Sequence, residues 1–130
     1  MIVLDASVVV ELLTNGDLAE TIRLKLEEVS DTLIVPHLLD VEVASALRGL
    51  AAGRRIDSHR ADEILAGLAA LPAERYAHTP LLGRIWELRN NFTCYDAVYI
   101  ALAELTDATL YTSDTKMGKG HHAEVVVFGA

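Results

Sequence analysis

The sequence is short of several things, and each shortage narrows what it can be. It has one cysteine, Cys94, which excludes a disulfide framework and a cysteine-rich zinc site. Aromatic residues make up 5% of the chain, so Ala, Leu, Val and Ile must fill its core. Basic residues are outnumbered, 11 Lys and Arg against 19 Asp and Glu, for a net charge of −8. That balance argues against a protein that grips nucleic acid by bulk positive charge. The longest stretch free of Asp, Glu, Lys and Arg is Ile64–Ala73. It is half the length of about 20 residues that a membrane span requires. The N-terminal residues carry no basic segment ahead of an apolar one, so no signal peptide is expected, and a reducing cytoplasm fits.

What is present reads as one folded unit over residues 1–130. The chain is 52% hydrophobic and 23% charged, a composition that folds rather than staying disordered. There is no repeat, low-complexity run or linker. Apolar runs at Ile2–Leu4 and Leu33–Val35, and β-branched runs at Thr109–Thr112 and Glu124–Phe128, predict strands. Helical patterning predicts helices from Asp5 to Leu13, Leu18–Val29 (with Asp17 as cap), Leu38–Ala52, Asp57–Leu71, Leu81–Asn90 after Pro80, and Tyr95–Thr106 capped by Thr93. Short apolar strands alternating with helices predict an α/β fold, a short parallel sheet with helices on both faces. Ligands of such sheets collect beyond the carboxyl ends of the strands.

Acidic residues fall at those places. Asp5 directly follows the first strand, and Asp114 lies two residues past the strand ending at Thr112. Asp96 is in the first turn of an almost wholly apolar helix. Glu42 lies at the margin of the stripe formed by Leu39, Val43, Ala46 and Leu50. Neither Glu42 nor Asp96 has a cation one helical turn away, and an unpaired carboxylate beside a core is costly. Grouped carboxylates without a counter-charge call for a cation, and an all-oxygen set suits Mg²⁺ or Mn²⁺ better than Zn²⁺. Each acid also has a plainer reading. Asp5, Asp114 and the Thr93–Asp96 pair all stand where helix caps occur, and spacing alone cannot bring four distant residues together.

Taken in order, these segments resemble the PIN-domain ribonucleases, specifically the VapC-type toxins of prokaryotic toxin–antitoxin pairs. Ile2-Val3-Leu4-Asp5-Ala6-Ser7 is similar to the family's first motif. Val35-Pro36 followed by Glu42-Val43 and Ala46-Leu47 resembles the second. The stretch from Arg89 to Ala103, centred on Tyr95-Asp96-Ala97, is the most specific match, and Tyr111-Thr112-Ser113-Asp114 resembles the fourth. The resemblance implies a PIN-like fold, usually a homodimer, and an endoribonuclease that depends on Mg²⁺ or Mn²⁺, hydrolyses RNA phosphodiester bonds and is held inactive by a cognate antitoxin. It implies that Asp5, Glu42, Asp96 and Asp114 form the catalytic metal site, with Ser7 and Thr112 positioning groups around it. Some relatives carry a further acid after the fourth motif, whereas Thr115–Gly120 has none. One tightly held ion, with a second recruited by the RNA phosphate, is therefore expected.

Lys116 and Lys119, in the loop after Asp114, are the candidate RNA contacts. Arg48, Arg54, Arg55, Arg60, Arg84 and Arg89 are more simply read as solvated. Tyr95 could stack on a base, while Trp86 and Tyr99 are expected to pack. His121-His122 reads as a loop pair, not a metal site. An apolar antitoxin-binding surface is expected across Leu18–Val29 and Leu38–Ala52. The alternatives are a non-cleaving RNA- or protein-binding module of the same fold and another Mg²⁺-dependent phosphohydrolase. A haloacid-dehalogenase-like phosphatase needs Asp-x-Asp after the first strand, where this chain has Asp5-Ala6-Ser7. A receiver domain needs an acidic pair there.

Overall fold

Five strands, each only three or four residues long, form one sheet in the computed structural model, which describes residues 1–129. They are β1 (Ile2–Leu4), β2 (Leu33–Pro36), β3 (Ala73–Tyr76), β4 (Thr109–Thr112) and β5 (Val125–Val127). Every pairing is parallel, in the order β3-β2-β1-β4-β5. The helices are α1 (Ala6–Thr14), α2 (Ala19–Val29), α3 (Leu38–Ala52), α4 (Ser58–Ala69), α5 (Leu82–Glu87) and α6 (Cys94–Thr106).

The sheet is covered on both faces, as its sequence demands. Ile2, Val3 and Leu4 are all buried, so β1 has no solvent face and shows no alternation. The α6 helix packs on β1, β2 and β4, with α5 against it, while α1 packs on β4 and gathers α2, α3 and α4. Ala97 through Ala103 are buried without interruption, which is why α6 reads as apolar all round.

Three expectations are corrected. β3 has no counterpart among the predicted strands, because Ala-Glu-Arg-Tyr carries no apolar run. It holds the sheet edge by its ladder to β2 and by Arg75, whose guanidinium donates to Asp40 and to the Leu68 and Leu71 carbonyls. The predicted Leu81–Asn90 helix is shorter. Pro80 lies in a 3₁₀ turn, Thr79–Leu81, and α5 ends at Glu87. Asp17 does not cap α2, whose N-cap is Leu18 with no side-chain bond. Instead Glu11 reaches over from α1 to accept the Leu18 N–H at 3.0 Å. The remaining helix and strand bounds agree within about two residues, the ordinary uncertainty of an element's end.

The chain runs β1-β2-β3 outward to one side and then returns to place β4 on the other flank of β1. The strand order therefore reverses between β1 and β4. In open parallel sheets a crevice opens at such a point, beyond the carboxyl ends of the two strands.

Candidate active site

Leu4 pairs with Tyr111 at the ends of β1 and β4, so the residues that follow, Asp5 and Thr112, are neighbours at that crevice. Asp5 is 6% exposed and Thr112 is fully buried. A buried carboxylate must be satisfied by donors, and Asp5 has three. Ser7 Oγ donates to Oδ1 at 2.6 Å, the Val8 N–H donates to the same oxygen at 3.1 Å, and Thr112 Oγ1 donates to Oδ2 at 2.5 Å. The capping reading of Asp5 holds, because α1 starts on its carboxylate, and capping does not exclude a role at the end of β1.

The two hydroxyls also tie down the β4 exit. Ser7 Oγ accepts the Ser113 N–H at 3.0 Å, and Thr112 Oγ1 accepts the Asp114 N–H at 3.0 Å. Asp114 in turn accepts the Lys116 N–H at 2.9 Å and caps a 3₁₀ turn, Thr115–Gly118. Asp5, Ser7, Thr112 and Asp114 are therefore one hydrogen-bonded unit spanning two adjacent strand ends.

Asp96 enters from the first turn of α6, where its backbone N–H donates to Thr93 Oγ1 at 3.2 Å. Glu42 enters from α3 and is half-buried. Tyr99, one turn beyond Asp96 on α6, is buried, and its phenol donates to Glu42 Oε1 at 2.5 Å. Sequence reasoning treated Tyr99 as packing and missed this bond. Its signal is weak but present: a tyrosine at i+3 from an acid on a buried helix needs a partner for its hydroxyl.

The electrostatics link all four acids. Burial pushes the Asp5 carboxyl above its usual range, opposed by its three hydrogen bonds, and the charge of Asp96 raises it further. Burial likewise raises Glu42, opposed by Tyr99 and reinforced by Asp96 and Asp5. Burial raises Asp96, Asp114 reinforces it, and Lys116 opposes it. Burial and the bond to Glu42 push the Tyr99 phenol well above its ordinary value, so it remains a donor. None of the ion pairs among the described residues involves Asp5, Glu42, Asp96 or Asp114.

The donor set is all oxygen and suits a hard divalent cation. Among the described residues no three His, Cys, Asp or Glu side chains already stand close enough to chelate one. Four of their oxygens already accept protein donors: Asp5 Oδ1 from Ser7 and Val8, Asp5 Oδ2 from Thr112, Glu42 Oε1 from Tyr99 and Asp114 Oδ1 from the Lys116 N–H. The residues fit an ion that keeps several of its waters and takes one or two carboxylates directly, which is how Mg²⁺ is usually bound.

The lysines differ. Lys116 is exposed but near enough to lower the Asp96 pKa, whereas Lys119 is exposed farther along the loop. Trp86 is not packed as expected. It is 62% exposed, with the Arg89 guanidinium 4.5 Å from its ring centroid. His121 and His122 serve the loop: His121 Nε2 bonds the Met117 carbonyl, and the His122 N–H donates to Glu104. No helix of the described residues is long and apolar enough to cross a membrane.

The chain and its fold have known relatives. A family model described as "PIN domain" matches residues 2–120. A VapC ribonuclease of Mycobacterium bovis is 37% identical over 124 residues, covering 95% of this chain and 94% of the relative. Ribonuclease VapC1 of Mycobacterium tuberculosis is 41% identical over 118 residues, covering 88% and 86%. A solved toxin–antitoxin complex from Klebsiella pneumoniae contains a chain of the same fold, with a TM-score of 0.72 at 18% identity over 98% of this chain and 97% of that one.

Proposed function

Because the chain belongs to the PIN-domain family, alongside the VapC ribonucleases, we propose that it is an endoribonuclease, the toxin of a toxin–antitoxin pair, hydrolysing RNA with the aid of Mg²⁺ or Mn²⁺. The observation that carries this reading is that Asp5, Glu42 and Asp96, from three different elements, are each raised by burial and by a neighbouring carboxylate, Asp114 supplying that charge to Asp96, while none of the four forms an ion pair among the described residues. Asp5, Asp96 and Asp114 are the proposed metal ligands, directly or through water, together with Glu42.

Bound there, the ion would neutralise phosphate charge and acidify the attacking water. The protein's own groups do the rest. Thr112 and Ser7 hold Asp5 in one orientation, so the fixed carboxylate need not reorganise during the reaction. Glu42, poised by burial above the usual carboxylate range, accepts a proton from water, and Tyr99 holds its other oxygen in place. Lys116 and Lys119 receive the flanking phosphates. In-line attack at phosphorus breaks the bond to the 3′-oxygen, leaving a 3′-hydroxyl and a 5′-phosphate.

Other surfaces support the partners. Leu24 and Val29 on α2 keep apolar side chains in water, as an antitoxin-binding face would. Leu82, Trp86 and Leu105 are exposed on α5 and α6, which the Arg84–Glu104 pair ties together, and they support a homodimer contact. The test is incubation of the chain with total RNA in Mg²⁺, Mn²⁺ or EDTA, followed by sequencing of new 5′ ends. Cleavage that yields 5′-phosphates, stops in EDTA, is lost in Asp96→Asn and is suppressed by the co-expressed antitoxin is expected. Undiminished cleavage in EDTA would end the metal reading.

A further inference from the structure

The acidic crevice does not end at Glu42. That residue also lines a groove of about 330 Å³, together with Leu38, Val41, Ser45 and Tyr95. Its volume is within the range of small-molecule clefts, about 300–1,000 Å³. Leu38, Val41, Glu42 and Ser45 fall at i, i+3, i+4 and i+7 on α3, so one face of that helix makes one wall. Tyr95, in the first turn of α6 and directly before Asp96, makes the other. Tyr95 is 63% exposed and Val41 67%. Burial would favour the opposite, and neither residue belongs to the buried core.

We propose that this groove is a nucleobase subsite, in which Tyr95 stacks on a base next to the cleaved phosphate and Ser45 contacts its edge. The inference rests on the nuclease reading and goes beyond it, because it assigns a substrate-binding residue outside the acids. Three features favour a base over other occupants. The groove shares Glu42 with the acids and Tyr95 directly precedes Asp96, so the groove adjoins the proposed phosphate site. The lining residues include no Lys or Arg, so the groove suits a neutral ring and not a phosphate. An exposed aromatic face beside apolar side chains with a hydroxyl at the rim matches a base, whose faces are apolar and whose edges are polar.

The test uses the full chain and a short fluorescein-labelled RNA that it cuts, together with versions of that RNA bearing one abasic ribose on either side of the cut. Tyr95→Ala should lower kcat/KM about 5- to 150-fold, the range of one lost base stack. Tyr95→Phe, which keeps the ring, should retain it. An abasic ribose on one side should cost the wild type a similar factor and cost Tyr95→Ala little. Because Tyr95 is exposed, all variants should melt with the wild type. Unchanged cleavage by Tyr95→Ala overturns the proposal, as do independent, multiplying losses from the variant and the abasic site. Loss of antitoxin binding with RNA kinetics intact assigns the groove to the protein partner and also overturns it. If the wild type cuts no RNA, the nuclease reading fails. Fluorescence anisotropy of the same strands then reads the base subsite separately, with the same ordering of variants expected.

Discussion

Thr112 offers a sharp check on how the site is held. Its side chain is fully buried and makes two bonds, donating to Asp5 Oδ2 and accepting from the Asp114 N–H. Thr112→Val exchanges the hydroxyl for a methyl of nearly the same shape. The bond to an ionised carboxylate is worth about 1.5–3 kcal/mol and the neutral one about 0.5–1.5 kcal/mol. Asp5 keeps Ser7 and Val8 as donors, and the Asp114 N–H is only part-buried, so the expected loss lies toward the lower end, about 2–3 kcal/mol. That is a substantial share of the ~5–15 kcal/mol available to a small domain. Thr112→Ser keeps both bonds and gives up one buried methyl, costing about 1 kcal/mol. Urea melts at neutral pH should therefore rank wild type above Ser and Ser above Val, whereas apolar character alone would put Val first. The gap between wild type and Val should shrink in acid, where Asp5 is protonated and needs a donor less. RNA cleavage should follow the same order. A Val variant as stable and active as Ser would refute the claim that this hydroxyl positions Asp5.

Further outcomes are expected from the same geometry. Asp5, Glu42 and Asp96 have folded-state pKa values above their unfolded ones, so their contribution to stability is fully present below about pH 4 and is lost as pH rises through the raised values. Metal-free Asp96→Asn should accordingly gain stability relative to wild type as pH rises, measured by thermal melts across pH. Mg²⁺ at a hundred times its Kd should stabilise the wild type by about 2.7 kcal/mol, a Tm rise of roughly 10 °C, and Asp96→Asn by clearly less; equal shifts would count against Asp96 as a ligand. Tyr99→Phe keeps the packing but removes the donor to Glu42, costing about 1–3 kcal/mol. It should also move the acidic limb of the pH–rate profile to higher pH. Replacing Lys116 and Lys119 by Gln should weaken RNA binding and lower its salt slope by about 1.4.

The elements legible in the sequence were those whose patterning reports their own surroundings. β1, β2 and β4 are continuous apolar or β-branched runs because they are buried on both faces, and α6 is apolar all round for the same reason. β3 was invisible because its stability is non-local: an edge ladder to β2 and Arg75 held by Asp40, 35 residues away. The caps at Thr93 and Asp5 are local chemistry and stand where the residue types place them. The cap on Leu18 comes from Glu11 on another helix and could not be read from its neighbours.

The candidate site divides along the same line. The sequence determined which carboxylates lack a local counter-charge and which follow strands, since both depend on residues within a turn or two of Asp5, Glu42, Asp96 and Asp114. Only the tertiary structure decided that β4 returns beside β1. That crossing aligns Leu4 with Tyr111, brings Thr112 onto Asp5 across 107 positions of chain, and lets Tyr99 reach Glu42 across 57. The physical reason is range. Capping and periodicity act over one helical turn, whereas the repulsion that links these acids acts through space and exists only once strand order has fixed their separation.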